Sequence, residues 1–276
     1  MASLLHKAVA RLVRTGALDP MLAMPEAYMD GEFDVVEGDL IDFLQIAFTN
    51  LGNSMDGTTL PARMLEGARY ALRRLQQFNT AGRSRQNVHR HYDLSGEMYR
   101  LFLDADMQYS CAYYARPDMT LEEAQEAKKQ HIVAKLNVGR GNSVLDIGSG
   151  WGGLGLYIAR QFDAEVLGVT LSTEQIAVST QRAQDAGLEN HVHFELRDYR
   201  SLSERFDRIV SVGMFEHVGV NHYRTFFDKC ATLLKPDGVM LLHTIGRSGP
   251  PAATNAFIRK YIFPGGYIPA LSETVA

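Results

Sequence analysis

The sequence predicts an α/β fold, a doubly wound, Rossmann-like and mostly parallel sheet, led by a small, mainly helical N-terminal domain. Three observations carry that reading. Short apolar runs at 143–147, 165–170, 191–196, 206–212 and 238–244 alternate with helical patterns at about 153–162, 173–186, 220–234 and 253–261. Such alternation marks βαβ units, whose crossovers leave neighbouring strands parallel. The first run, Ser143-Val-Leu-Asp-Ile147, breaks into Gly148-Ser-Gly-Trp-Gly-Gly153, four glycines in six residues. A strand that turns sharply into a helix, its backbone against a ligand, needs residues of that kind. The third observation is an acid. Asp146 stands two residues before the first glycine, where a phosphate cradle would disfavour negative charge and a cationic or ribose-bearing ligand would accept it.

The leading elements follow in order. Residues 1–18 hold Lys7, Arg11 and Arg14 and no acid before Asp19, with apolar residues at helical spacing. A first helix is expected there, although a transit peptide has the same look. Asp30-Gly31 and Glu37-Gly38 bracket Phe33-Asp-Val-Val36, which reads as one strand of a hairpin. Asp39–Asn50 reads as a helix and 53–61 as a polar link. Between Arg63 and Tyr92 lie seven arginines against the single acid Glu66. This stretch is an amphipathic basic helix followed by a basic loop, suited either to anionic lipid head groups or simply to solvent. His91–Tyr114 carries five tyrosines without a clean period, which suits a pocket wall. Thr120-Leu-Glu-Glu123 and Ser172-Thr-Glu-Gln175 match capping boxes at two helix starts. Lys235-Pro-Asp-Gly238 reads as a turn into the last strand.

Composition narrows the function. A net charge of −4 offers no general attraction to nucleic acid. No run of 18 apolar residues occurs, so no membrane span is expected. Cys111 and Cys230 are too isolated for a disulfide framework, and a cytosolic setting is expected. His89-x-His91 and His191-x-His193 lack further ligands nearby, so no metal is expected.

Gly148, Gly150 and Gly153 also satisfy a dinucleotide fingerprint. That fingerprint expects an acid at the end of the second strand, and the sequence there is Thr170-Leu-Ser172. With Asp146 before the loop and Asp198 after the third strand, S-adenosylmethionine is the better match. Glu216 follows the fourth strand and His243 ends the fifth. Both are expected at the mouth where ligands gather in open α/β sheets, as a general-base pair. His243 also suits a hydrogen-bonded core position. Cys111 suits a nucleophile, a pocket residue or packing, and Cys230 packing alone.

Several blocks resemble the cyclopropane-fatty-acid synthases, a pattern shared with mycolic acid cyclopropane synthases. They are His91-Tyr-Asp-Leu94, Met107-Gln-Tyr-Ser-Cys-Ala-Tyr-Tyr114, Val144–Gly153, Gly168-Val-Thr-Leu-Ser-Thr-Glu-Gln175, Phe215-Glu-His-Val-Gly219 and Tyr261-Ile-Phe-Pro-Gly-Gly266. Pro25–Gly31 is similar to the small leading domain of the phospholipid-acting branch. The resemblance implies a domain at 1–80 and an S-adenosylmethionine-dependent methyltransferase domain at 81–276. It implies methyl transfer to a cis double bond of an unsaturated phospholipid acyl chain, then proton loss from the methyl to close a cyclopropane. A bicarbonate ion is the implied base, held by Cys111, Glu216 and His243. Implied cofactor contacts are Tyr109, Ser110, the loop of Gly148, Gly150 and Gly152, then Thr170, Leu171, Gln175 and Tyr199. The implied location is the cytoplasmic face of the membrane, peripherally bound, with a homodimer as a further expectation. Ser149 stands where the family usually has cysteine. The family pattern also continues past Gly266 into the last strands and a further bicarbonate-holding tyrosine, so a truncated methyltransferase sheet is expected. Alternatives are methyl branching without ring closure and an inactive cofactor- or lipid-binding fragment.

Overall fold

The structure, a computed structural model, describes residues 19–51, 60–77 and 96–275. The expectations for residues 1–18, the end of the basic stretch, His89 and His91 lie outside them. The described chain divides into two compact units. One holds 19–51, 60–76 and 252–263, and the other holds 77, 96–251 and 264–275.

The first unit contains α1 (Pro20–Met29), α2 (Leu40–Leu51) and α3 (Leu60–Gln76). Asp39 and Asp42 close the start of α2 reciprocally: each backbone N–H donates to the other's carboxylate, at 2.9 and 3.0 Å. Arg69 of α3 meets Asp19 at 2.5 Å. The hairpin strand expected at 33–36 does not form. The N–H groups of Glu32 and Phe33 both donate back to the Ala27 carbonyl, and Phe33 packs its ring on Phe43 at 4.9 Å. These bonds close the end of α1 and leave no strand ladder. The helix expected at 253–261 shrinks to a wide turn at Ile258–Ile262, entered through Asn255, whose Oδ1 accepts from the N–H groups of Phe257 and Ile258.

The second unit is the predicted sheet. Its strands are β1 (Ser143–Ile147), β2 (Glu165–Thr170), β3 (Val192–Leu196), β4 (Phe206–Val212) and β5 (Leu234–His243). All pairs are parallel, in the order β3-β2-β1-β4-β5. The helices are α4 (Gly96–Arg100), α5 (Leu121–Leu136), α6 (Gly153–Phe162), α7 (Thr173–Asp185), α8 (Tyr223–Leu233) and α9 (Leu271–Thr274). Strand period 2 divides β1 between two cores. Val144 joins Ile132, Leu136 and Ile158 on one face, while Leu145 and Ile147 join Ile209, Phe226 and Leu233 on the other. Asp146, two residues from Val144, therefore shares the face covered by α5.

Two local expectations are corrected. The Lys235–Gly238 turn lies inside β5: Leu234 pairs with Phe206 and Val239 with Arg208, so the excess residues form an irregularity in one continuous strand. The capping box at α7 is half formed. Ser172 Oγ accepts from the Gln175 N–H at 3.3 Å, but the Gln175 side chain turns away to accept from Thr170 Oγ1 at 2.7 Å. The box at α5 is complete, Thr120 and Glu123 bonding at 2.8 and 3.2 Å.

Candidate active site

Strand order reverses between β1 and β4, which is where open α/β sheets leave a crevice. A cavity of about 160 Å³ lies there, an order of magnitude above the ~10–15 Å³ that one water needs. Its floor is the β1 exit. Gly148 and Gly150 take φ of 83° and 54°, a region costly for side chains. A Cβ at Gly148 would lie 2.8 Å from Met214 Cβ, so the close approach of β1 and β4 also requires glycine.

Of the expected cofactor residues, Tyr109, Ser110, Asp146, Gly148, Gly150, Thr170, Leu171, Gln175, Asp198 and Tyr199 line this cavity. Gly152 does not. It precedes α6 with φ 85°, and a Cβ there would lie 2.6 Å from the Phe194 ring and 2.9 Å from Ser179. Its space is taken by helix–sheet packing. Asp198 lines the wall but is engaged by Arg200, which meets its carboxylate at 2.6 and 2.9 Å. Beside it the Tyr199 ring packs edge-on against Phe226 at 5.5 Å.

Asp146 is 2% exposed, and its Oδ2 has no hydrogen-bond partner among the described residues. Burial pushes its carboxyl up to about 7, with the nearby Lys128 charge pulling the other way. The roof is the segment Asp104–Ser110. Asp104 accepts from the Gln108 N–H at 2.7 Å. Asp106 is clamped by Lys129 at 2.8 Å and by Arg182 of α7, which also donates to the Trp151 carbonyl at 2.7 Å. Those two cations hold the Asp106 carboxyl below its usual range in spite of burial. Tyr99 packs on Trp151 at 4.7 Å and on Tyr109 at 5.2 Å, binding roof to glycine loop.

The expected catalytic residues sit elsewhere: Cys111, Glu216 and His243 do not line the cavity, contrary to the expectation that Glu216 and His243 open onto it. The short turn Phe215–His217 rotates Glu216 inward and leaves His217 on the cavity wall. Glu216 Oε1 accepts from the Ile245 N–H at 2.6 Å, two residues beyond His243. His243 pairs with Val212, and its carbonyl accepts from Gly213 at 3.0 Å. Glu216 and His243 thus belong to one corner formed by the exits of β4 and β5. Glu216 Oε2 and His243 Nδ1 are buried and have no partner among the described residues. Burial raises the Glu216 carboxyl and lowers the His243 imidazole from their ordinary values. Cys111 is exposed and Cys230 is packed in the core.

The sequence reading passed over Lys128, Gln108 and Trp151. The signal for Lys128 was available: Gln125, Lys128, Lys129, Ile132 and Leu136 form one helical stripe, and all are buried. Polar residues on an apolar stripe mark a face that meets something polar. No cluster able to hold a metal ion occurs among the described residues.

Residues 79–276 match the mycolic acid cyclopropane synthetase family. The cyclopropane-fatty-acyl-phospholipid synthase of Escherichia coli K12 is 42% identical over 254 residues, covering 91% of this chain and 63% of that protein. Among solved structures, the cyclopropane synthase MmaA2 from Mycobacterium tuberculosis superposes with a TM-score of 0.65 at 39% identity, over 69% of this chain and 72% of that one. Mycolic acid cyclopropane synthase CmaA1, complexed with SAH and CTAB, gives 0.64 at 40% identity, over 69% and 71%. The fold is therefore that of the S-adenosylmethionine-dependent methyltransferases.

Proposed function

Since the chain belongs to the mycolic acid cyclopropane synthetase family, we propose that it carries the catalytic core of a cyclopropane-fatty-acyl-phospholipid synthase. The reaction is methyl transfer from S-adenosylmethionine to a cis double bond of an unsaturated phospholipid acyl chain, followed by ring closure. The observation that carries this reading is the glycine-floored cavity with a buried, unpaired carboxylate oxygen at the β1–β4 crevice.

The cavity fits the cofactor. Positive-φ glycines bring bare backbone to the ligand, Asp146 offers an acceptor to a cation or hydroxyl, and Tyr109, Trp151 and Tyr199 give aromatic walls. When bound, S-adenosylmethionine supplies an electrophilic methyl group on a sulfonium. The chain's own residues orient and enclose it. The roof residues exclude water, and the Thr170–Gln175 pair fixes the rim at the β2 exit.

The corner of Glu216 and His243 fits bicarbonate, which presents both a hydroxyl donor and acceptor oxygens. Glu216 Oε2 and His243 Nδ1 are buried polar atoms without partners among the described residues, open to an ion that both donates and accepts. When bound, that ion supplies a weak base for a methyl proton. Cys111, exposed beside the roof, is assigned to the same group by its place in the family motif. Contact with the membrane surface is supported by α3, which exposes Met64 and Leu72 beside Arg63. No described helix is long and apolar enough to cross a membrane.

The test incubates the chain with S-adenosylmethionine and vesicles of unsaturated phospholipid. The expected product is a lipid heavier by one CH₂, with cyclopropane protons in its NMR spectrum. A methyl-branched alkene of the same mass would replace ring closure by simple methylation, and no heavier lipid would reject the transfer.

A further inference from the structure

Helix α5 buries two adjacent lysines, Lys128 at 3% exposure and Lys129 at 8%. Lys129 is paired with Asp106 and Glu126. Lys128 has no ion-pair partner among the described residues. Its Nζ donates to Gln108 Oε1 at 2.8 Å and Ser110 Oγ at 2.7 Å, the two residues that flank Tyr109. One turn earlier, Gln125 Nε2 donates to the carbonyls of the same two residues, at 3.1 and 3.0 Å. The last three residues of the roof, Gln108–Ser110, are thus gripped through side chains and backbone from one helix face. An ammonium has three donors, and the neutral partners use two. Lys128 lines the same cavity as Asp146, and no hydrogen bond or ion pair joins them.

A buried ammonium held only by neutral groups is costly, and a position that merely filled space would take leucine or methionine. We propose that Lys128 is a positioning residue for the cofactor: it fixes Gln108–Ser110 over the glycine loop and supplies the buried cation that steadies Asp146 in its ionised form. The cofactor half of this inference rests on the function proposed above.

The groups facing Lys128 are Asp104 and Asp106 from the roof, Cys111 just after it, Lys129 from its own helix, Asp146 from β1 and His243 from β5. Burial is the largest influence and brings the Lys128 ammonium down to about 8. Asp146 gains its charge as pH rises through about 7, and Lys128 loses its charge as pH rises through about 8. Cofactor affinity should therefore rise and then fall across this range.

The experiment measures amide hydrogen exchange over residues 104–111 without ligand, and S-adenosylhomocysteine affinity from pH 6 to 9, on the whole chain. In Lys128→Met, exchange should accelerate and affinity should fall, each by roughly tenfold or more, and the alkaline limb should vanish. Lys128→Arg should restore protection and hold affinity up to pH 9, because a guanidinium keeps its proton. If Lys128→Met does not fold, Lys128→Gln is read the same way, retaining a donor but no charge. A folded Lys128→Met or Lys128→Gln protein with wild-type exchange and a wild-type pH profile would overturn the proposal. Absence of S-adenosylhomocysteine binding by the wild type would instead reject the cofactor reading, and the exchange data would still decide the roof-fixing role.

Discussion

The cavity at the β1–β4 crevice and the Glu216–His243 corner lie at the exits of neighbouring strands, yet they are finished differently. Around the cavity, roof and wall groups are bound to one another. Asp106 is clamped by Lys129 and Arg182, Lys128 holds Gln108 and Ser110, and Arg200 holds Asp198. At the corner Glu216 Oε2 and His243 Nδ1 are buried without a partner, and no ion pair clamps either side chain among the described residues. In the cavity the open buried atoms, Asp146 Oδ2 and Ser149 Oγ, lie instead on the lining beneath that clamped roof. Unpaired buried polar atoms cost about 1–3 kcal/mol each, and such costs concentrate where chemistry is done. On the function proposed above, the open atoms of the cavity serve binding and those of the corner serve the reaction. Substitutions at one should therefore move binding, and substitutions at the other should move turnover.

The sharpest test of that division is Glu216→Gln. The amide keeps an oxygen for the Ile245 N–H but cannot offer the same acid–base character at Oε2. Turnover to cyclopropane on phospholipid vesicles should fall by about 10²–10⁴-fold, the usual scale of a lost acid–base group, here the ion that Glu216 would hold. S-adenosylhomocysteine affinity should stay within about twofold. A comparable loss in affinity would merge the two regions into one site.

Asp146→Asn tests the opposite side. In the folded chain Asp146 stays protonated up to about 7, while in the unfolded chain it ionises near its ordinary 3.8. This raised value means that its contribution to stability is fully present below about pH 4 and declines as pH rises toward about 7. The gap corresponds to at most about 4 kcal/mol. Asparagine removes that loss, so at pH 8 the variant should be the more stable protein in urea titrations and should bind S-adenosylhomocysteine more weakly. Equal stability at pH 8 would show that the carboxylate is already compensated.

The glycines separate in the same manner, and they show how far the sequence could be read. The strand–helix alternation and the glycine run made the sheet and its crevice legible, because periodicity and turn chemistry are local properties. Which glycine meets the ligand is not local. Gly150 and Gly152 are two residues apart and both lie at positive φ, but only Gly152 abuts Phe194 and Ser179. That contact depends on how β3 and α7 pack. The inward rotation of Glu216 and the β5 irregularity likewise depend on partners distant in sequence. The missing hairpin at 33–36 turns instead on bonds back to Ala27 that the punctuating glycines do not announce. Gly152→Ala should cost about 2–4 kcal/mol in chemical denaturation, through overpacking added to backbone strain. Gly150→Ala, with nothing within 4 Å of its Cβ, should cost only about 1–2 kcal/mol. Weaker S-adenosylhomocysteine binding should follow from Gly150→Ala alone, and the reverse pattern would return Gly152 to the ligand.

The smallest expected effect concerns the helix that grips the roof. Helix α5 begins with a complete capping box and carries Gln125 and Lys128 one and two turns later. Thr120→Ala removes one side of that box, an exposed bond at 3.2 Å to the Glu123 N–H, and should cost about 1 kcal/mol. The roof contacts arise from the buried middle of α5, which is anchored through Ile132, Val133 and Leu136, so loosening the first turn should not reach them. Thermal unfolding should shift down by a few degrees, as expected for about 1 kcal/mol in a chain of this size, with exchange over residues 104–111 unchanged. Faster exchange there would mean that the cap, and not the packed stripe, sets the position of Lys128.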